Sequence, residues 1–217
     1  MLRILIADDH EVARRGIRAL LESHPGWEVS GEAKDGRETV ELANQMKPDI
    51  VLLDIGMPNL NGLEAARQIL ATSPQVAILI LTMHDTDLVV REVLRAGARG
   101  FVLKSDAGRD LVAAVDALQK QRTFFTTRVS QMVLDGYLDR GNQDSDVAVA
   151  GDSLTTRERE VIQLLAEGKT SKEVAVALNL SVKTAETHRT NLMRKLDLHS
   201  VADLTRYAVR NGIVQVF

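Results

Sequence analysis

The chain has 217 residues, 45% hydrophobic and 26% charged, with 27 Lys/Arg against 30 Asp/Glu and a formal net charge of −3. That length suits two small domains with a connector, and the apolar share gives each a core, which excludes disorder throughout. The absence of cysteine excludes disulfides and thiolate metal sites, and no apolar run approaches the roughly 18 residues of a membrane span.

Met1-Leu2-Arg3-Ile4-Leu5 carries no basic region ahead of a long apolar run, so the expectation is a cytoplasmic protein with no membrane partner. The small net charge hides an asymmetry. Residues 1–152 hold 17 Lys/Arg against 23 Asp/Glu, whereas residues 153–217 hold 10 against 7. Only the C-terminal part is compatible with a polyanion.

In chain order, strand-length apolar runs recur at Leu2–Ala7, Glu28–Ala33, Ile50–Asp54, Val76–Leu81 and Gly100–Lys104. Helical patterns follow each of them, at His10–Ser23, Gly36–Met46, Asn61–Ala71, Asp85–Ala96 and Asp106–Lys120. This fivefold βα repeat predicts an α/β flavodoxin-like, doubly wound, five-stranded parallel sheet of order 2-1-3-4-5, with its functional crevice beyond the carboxyl ends of the strands. After Gln121 a short helix is expected at 129–138, then a polar linker at 139–146. A separate all-α unit of four helices follows, at Thr156–Glu167, Ser171–Leu178, Val182–Leu196 and Ser200–Asn211. Thr155 or Thr156 is placed to cap the first of these, with Glu158 or Glu160 as reciprocal partner, and Gly168 and Gly212 stand where helix C-caps belong.

Asp8 and Asp9 fall at the end of the first strand and Asp54 at the end of the third, so three carboxylates converge on neighbouring strands. Hard oxygen ligands that repel one another invite a cation such as Mg²⁺. Thr82 and Lys104 end the fourth and fifth strands and supply a hydroxyl and an ammonium for an anion beside it. One central carboxylate with a cation and a lysine is equipped to accept a phosphoryl group. His10, His24, His84 and His199 show no metal-ligand spacing and read as structural or surface residues. The competing reading is a small-molecule-binding α/β enzyme, such as a flavoprotein or a haloacid-dehalogenase-like phosphatase, fused to DNA-binding helices. However, no Gly-rich loop follows the first strand, and Asp8-Asp9-His10 lacks the spaced second aspartate.

Asp8-Asp9, Asp54-Ile55-Gly56-Met57-Pro58, Asn61-Gly62, Leu81-Thr82 and Gly100-Phe101-Val102-Leu103-Lys104 together resemble the receiver domains of bacterial two-component response regulators over about residues 1–120. The resemblance implies Asp54 as phospho-acceptor and Asp9, Asp54 and the Gly56 carbonyl as Mg²⁺ ligands, with Asp8 acting through water. It also implies Thr82 and Lys104 on the phosphoryl oxygens and Phe101 as a switch aromatic, whose alternative is plain core packing. Two positions depart from the familiar pattern: Met83 is bulkier than the usual neighbour of Thr82, and Ser105 stands where many receivers carry proline.

In the C-terminal part, the second helix, a tight turn at Asn179–Ser181 and the third helix have helix-turn-helix spacing. Ala185, His188, Leu192 and Leu196 form the expected buried stripe of the third helix, opposite Lys183, Thr187, Thr190, Asn191 and Arg194. Leu154-Thr155-Thr156-Arg157-Glu158-Arg159-Glu160-Val161, Leu164-Leu165-Ala166-Glu167-Gly168, Lys172-Glu173-Val174-Ala175 and the run from Leu180 to Leu196 resemble the LuxR-type DNA-binding domain. Joined to a receiver, this identifies the NarL/FixJ class. The implied base-facing residues are Glu186, Thr187 and Thr190, and the implied phosphate contacts are Thr170, Ser171, Lys172, Lys183, Thr184 and Arg194. Val201, Leu204, Tyr207 and Ala208 match the dimerisation helix, a face shared with the domain's own core. The expected boundaries are 1–120 for the receiver, 121–153 for the linker and 154–217 for the DNA-binding domain. The expected partners are a sensor histidine kinase, double-stranded DNA with paired half-sites, and a second copy of the chain when phosphorylated. No turnover of an external substrate is expected, only self-catalysed phosphorylation and dephosphorylation.

Overall fold

The computed structural model describes residues 1–83, 85–126, 129–131 and 154–214. Most of the helix expected at 129–138, all of the linker at 139–146, and His84 lie outside the described residues. The first unit runs β1 (Leu2–Ala7), α1 (Glu11–Glu22), β2 (Trp27–Ala33), α2 (Gly36–Met46), β3 (Ile50–Asp54), α3 (Gly62–Thr72), β4 (Ala77–Thr82), α4 (Asp87–Arg95), β5 (Gly100–Leu103) and α5 (Ala107–Gln119). All strand pairs are parallel and the order is β2-β1-β3-β4-β5, as the βα repeat predicts.

Strand side chains alternate between the sheet's faces, and each face has its own core. Leu5, Val51, Leu53, Ile78, Ile80 and Phe101 pack with residues of α2, α3 and α4. Ile4, Ile6, Ile50, Leu52, Leu79 and Val102 pack with residues of α1 and α5. Helices on both sides leave β3 and β4 with no exposed residue, which is why these strands read as unbroken apolar runs. Strand ends move by a residue or two from the sequence reading. β2 begins at Trp27, whose indole is buried and stacked on the His24 ring at 3.8 Å, and β4 ends on Thr82. Beyond β5 the chain makes one 3₁₀ turn, Lys104–Asp106, which holds Ser105 and leads directly into α5.

The second unit contains α6 (Thr156–Ala166), α7 (Ser171–Ala177), α8 (Val182–Lys195) and α9 (Val201–Arg210), packed around Val161, Ile162, Leu164, Val174, Leu192 and Leu204. Its helix ends are set by capping. Thr155 and Glu158 form a reciprocal box at α6, which decides between the two candidate threonines, and Thr170 with Glu173 forms another at α7. Gly168 and Gly212 stand at φ +86° and +64°, left-handed values that stop α6 and α9 without a Cβ penalty. The helix-turn-helix bend is made by Asn179 at φ +51°, a conformation asparagine tolerates better than most residues. Thr155→Ala removes one box and is expected to lower the unfolding free energy of this domain by about 1 kcal/mol in urea titration. Among the described residues no helix is long and apolar enough to cross a membrane.

Candidate functional site

Parallel register builds the crevice. Ala7 lies opposite Leu53, so the next residues, Asp8 and Asp54, leave the sheet side by side. Thr82 pairs with Leu103, so Lys104 emerges beside the end of β4. The structure brings together every residue expected there: Asp8 and Thr82 are fully buried, Asp54 is 4% exposed, and Asp9 stands at the rim. The Lys104 ammonium bridges two of the carboxylates, 2.7 Å from Asp8 Oδ2 and 2.8 Å from Asp54 Oδ2. Loss of solvent pushes the Asp54 carboxyl above its ordinary value, while the Lys104 charge and the Gly56 N–H pull the other way. Burial alone would lower the Lys104 ammonium, but Asp54 and Asp8 outweigh it and raise it.

Asp8, Asp9, His10 and Asp54 offer ligand atoms within 4.8 Å of one another. His10 is an addition to the residues expected. Its Nδ1 lies 2.8 Å from Asp9 Oδ1 and 3.2 Å from Asp8 Oδ1, and its backbone N–H donates to Asp8 Oδ1 at 2.9 Å. No spacing rule could have found it, because the contact depends on how the chain turns after β1. The other described histidines behave as the sequence suggests, with His199 largely exposed. Phe101 is fully buried in the core on the α2–α4 side, and Met83 is exposed beside the crevice. Such a site has the charge pattern for an anion approaching a buried carboxylate, with oxygen donors suited to a hard cation.

The second surface is α8. Ala185 and Leu192 are buried, Leu196 is half-buried against the core, and His188 is half-buried. Lys183, Thr184, Glu186, Thr187, Thr190, Asn191 and Arg194 are exposed along the opposite side, as are Lys172 and Thr170, with Ser171 half-buried. The Thr170 hydroxyl is engaged in its capping box and Thr187 bonds the Lys183 carbonyl at 2.9 Å, so their freedom to meet a ligand is reduced. On α9 the structure divides the expected dimer face: Leu204 and Ala208 belong to the intramolecular core and Tyr207 packs against it, whereas Val201 is 47% and Val209 37% exposed.

A contact absent from the sequence reading joins the two units. The Gln163 amide on α6 donates to the Met57 carbonyl at 3.1 Å and accepts from the Asn61 N–H at 2.8 Å. The Asn61 side chain donates to the Ile213 carbonyl at 2.9 Å. Glu160 on the same helix faces Arg37 and accepts from Gln68. A cavity of about 140 Å³ lies along this seam, lined by Asp9, Gly56, Met57, Gln163, Glu167 and Ile213 among others.

Residues 4–116 match the response regulator receiver domain family, and residues 152–208 match the luxR family of bacterial regulatory proteins. The chain is 38% identical over 214 residues to the transcriptional regulatory protein LiaR of Bacillus subtilis, covering 99% of this chain and 100% of that one. It is 35% identical to the oxygen regulatory protein NreC of Staphylococcus aureus, covering 99% and 100%. Among solved structures, a complex of the two-component response regulator RcsB with DNA superposes at a TM-score of 0.59, with 29% identity over 97% of this chain and 98% of that one. The chain therefore belongs to the bacterial response regulators that join a receiver domain to a LuxR-type DNA-binding domain.

Proposed function

We propose that the protein accepts a phosphoryl group on Asp54 from a sensor histidine kinase and that this controls its dimerisation, DNA binding and transcription. The observation that carries the reading is the Lys104 bridge between Asp8 and Asp54 at the open ends of β1 and β3. In the transfer, a carboxylate oxygen of Asp54 bonds to phosphorus, the bond from phosphorus to the donor imidazole breaks, and the imidazole leaves neutral after taking up a proton. Lys104 and the Thr82 hydroxyl then hold phosphoryl oxygens, and Phe101 follows Thr82 as the switch. The carboxylate donor set fits Mg²⁺, which Asp9, Asp54 and the Gly56 carbonyl would hold, with Asp8 supporting it through water. When bound, it neutralises charge on the transferring group. The later return to free carboxylate is self-catalysed hydrolysis of the acyl phosphate, so the protein turns over no external substrate.

On this reading residues 1–120 form the receiver, 121–153 the linker and 154–217 the domain that enters the major groove with α8. Glu186, Thr187 and Thr190 face bases; Thr170, Ser171, Lys172, Lys183, Thr184 and Arg194 face phosphates. The homodimer places two such helices on paired half-sites and uses the outer edge of α9, Val201 with Val209, rather than its buried Leu204 and Ala208. Its setting is the cytoplasm. The test is DNA binding by mobility shift and mass by light scattering, with and without beryllofluoride plus Mg²⁺. Wild type is expected to dimerise and bind more tightly with the mimic, and Asp54→Asn to ignore it. Equal binding by both proteins under all conditions would remove phosphorylation control.

A further inference from the structure

We infer that Gln163, a residue of the DNA-binding domain, is a positioning residue for the receiver's cation loop, the segment 55–61 between β3 and α3. The inference rests on the reading of Asp9, Asp54 and the Gly56 carbonyl as a Mg²⁺ site.

Gln163 is 2% exposed, and both ends of its amide are spent on the backbone of this loop: the nitrogen on the Met57 carbonyl, the oxygen on the Asn61 N–H. One turn later Glu167 accepts from the Asn59 N–H at 3.2 Å and from the Gln163 amide at 2.7 Å, which fixes the rotamer of that amide. Asn61 closes the set through Ile213. Backbone groups of residues 57, 59 and 61 are thus tied to a different domain, immediately after the Gly56 carbonyl. The loop also holds Asn59 at φ +65°, a left-handed state that asparagine tolerates better than most residues.

A loop pinned in this way loses less conformational freedom when its carbonyl takes a cation, so the docked domain raises cation affinity. Thermodynamic reciprocity then requires that a bound cation tightens docking by the same factor. Gln163 reaches the metal only through the loop and touches no reacting atom.

Titration calorimetry of the full chain with Mg²⁺ alone tests this, alongside X-ray scattering for the separation of the domains. Gln163→Met keeps the volume and removes both hydrogen bonds to the loop along with the one to Glu167. Gln68→Glu, on α3 away from the loop, sets a second carboxylate against Glu160 and weakens docking from another point. Both variants are expected to have a larger radius of gyration and a Mg²⁺ dissociation constant raised about fivefold or more. Wild type is expected to contract when Mg²⁺ is added. If Gln163→Met fails to fold, as circular dichroism would show, Gln68→Glu alone carries the test. Domains that separate in either folded variant while Mg²⁺ affinity stays at the wild-type value would overturn the inference. A wild-type protein that takes up no Mg²⁺ would overturn the cation reading itself, and the inference with it.

Discussion

Gly62→Ala is expected to destabilise the receiver by about 2–3 kcal/mol and to displace Asp54, because no side chain fits where α3 begins. A Cβ at this position would stand 2.0 Å from the Asp54 carbonyl oxygen and 2.8 Å from its carbonyl carbon, both backbone atoms that cannot rotate aside. The close approach is fixed from two directions. The Gly62 N–H donates to the Ile55 carbonyl at 3.0 Å, and Asn61 caps α3 by accepting from the Glu64 N–H at 2.9 Å. Relief requires α3 to lift away from β3, which moves the peptide carrying Asp54. Urea unfolding reads the first effect as a lower midpoint, and the rate of phosphoryl uptake from acetyl phosphate reads the second. A midpoint and a rate both within error of wild type would show that the helix start yields without disturbing the crevice.

The second large effect belongs to Lys104→Met. Removing the ammonium leaves Asp8 and Asp54 buried beside each other without the charge that bridges them, and breaking a buried ion pair by deleting one partner costs about 3–5 kcal/mol. Part of this is recovered where protonation relieves the repulsion. Asp54 is already raised by burial, and losing Lys104 removes an influence that holds it down, so its carboxyl moves further up. The sign follows from linkage: a carboxylate raised in the folded state weakens the fold at neutral pH, and the penalty fades as pH falls through its folded value. Added Mg²⁺ is expected to stabilise the variant more than wild type, since it supplies the missing positive charge. Unfolding midpoints with and without Mg²⁺, at neutral and mildly acidic pH, check both statements. A variant as stable as wild type in the presence of chelator would mean that Lys104 does not balance these charges.

Much of this architecture could be read from residue order because its causes are local or periodic. The strand interiors Ile4–Ala7, Ile50–Leu53 and Ile78–Leu81 are apolar on both faces since helices cover both, and the acids of the crevice directly follow or end such runs. Thr155, Gly168 and Gly212 mark helix ends through bonds and dihedral angles that reach only a few residues. The Thr170 box carries the same local pattern, with Glu173 three residues on. What stayed hidden depends on distant partners. Glu92 looks like a solvated helix position, yet it is buried against Arg67, which reaches it from α3 across to α4. Gln163 and Glu160 likewise read as polar faces of α6 until a second domain covers them. Periodicity registers whether a face is apolar, and it is blind to polar side chains whose partners arrive on another helix or from another domain.

The exposed side of α8 has one further consequence. Docking through Gln163 covers the opposite part of the domain and leaves Lys183, Glu186, Thr187 and Thr190 open to solvent. On the proposed reading these side chains are already exposed while the domains are docked, so a signal would act through the pairing of copies rather than by uncovering them. Occupancy of a paired site then grows with the square of the concentration of single copies, and excess protein imitates the signal. For a cell, the dosage of the gene would become an input alongside the stimulus.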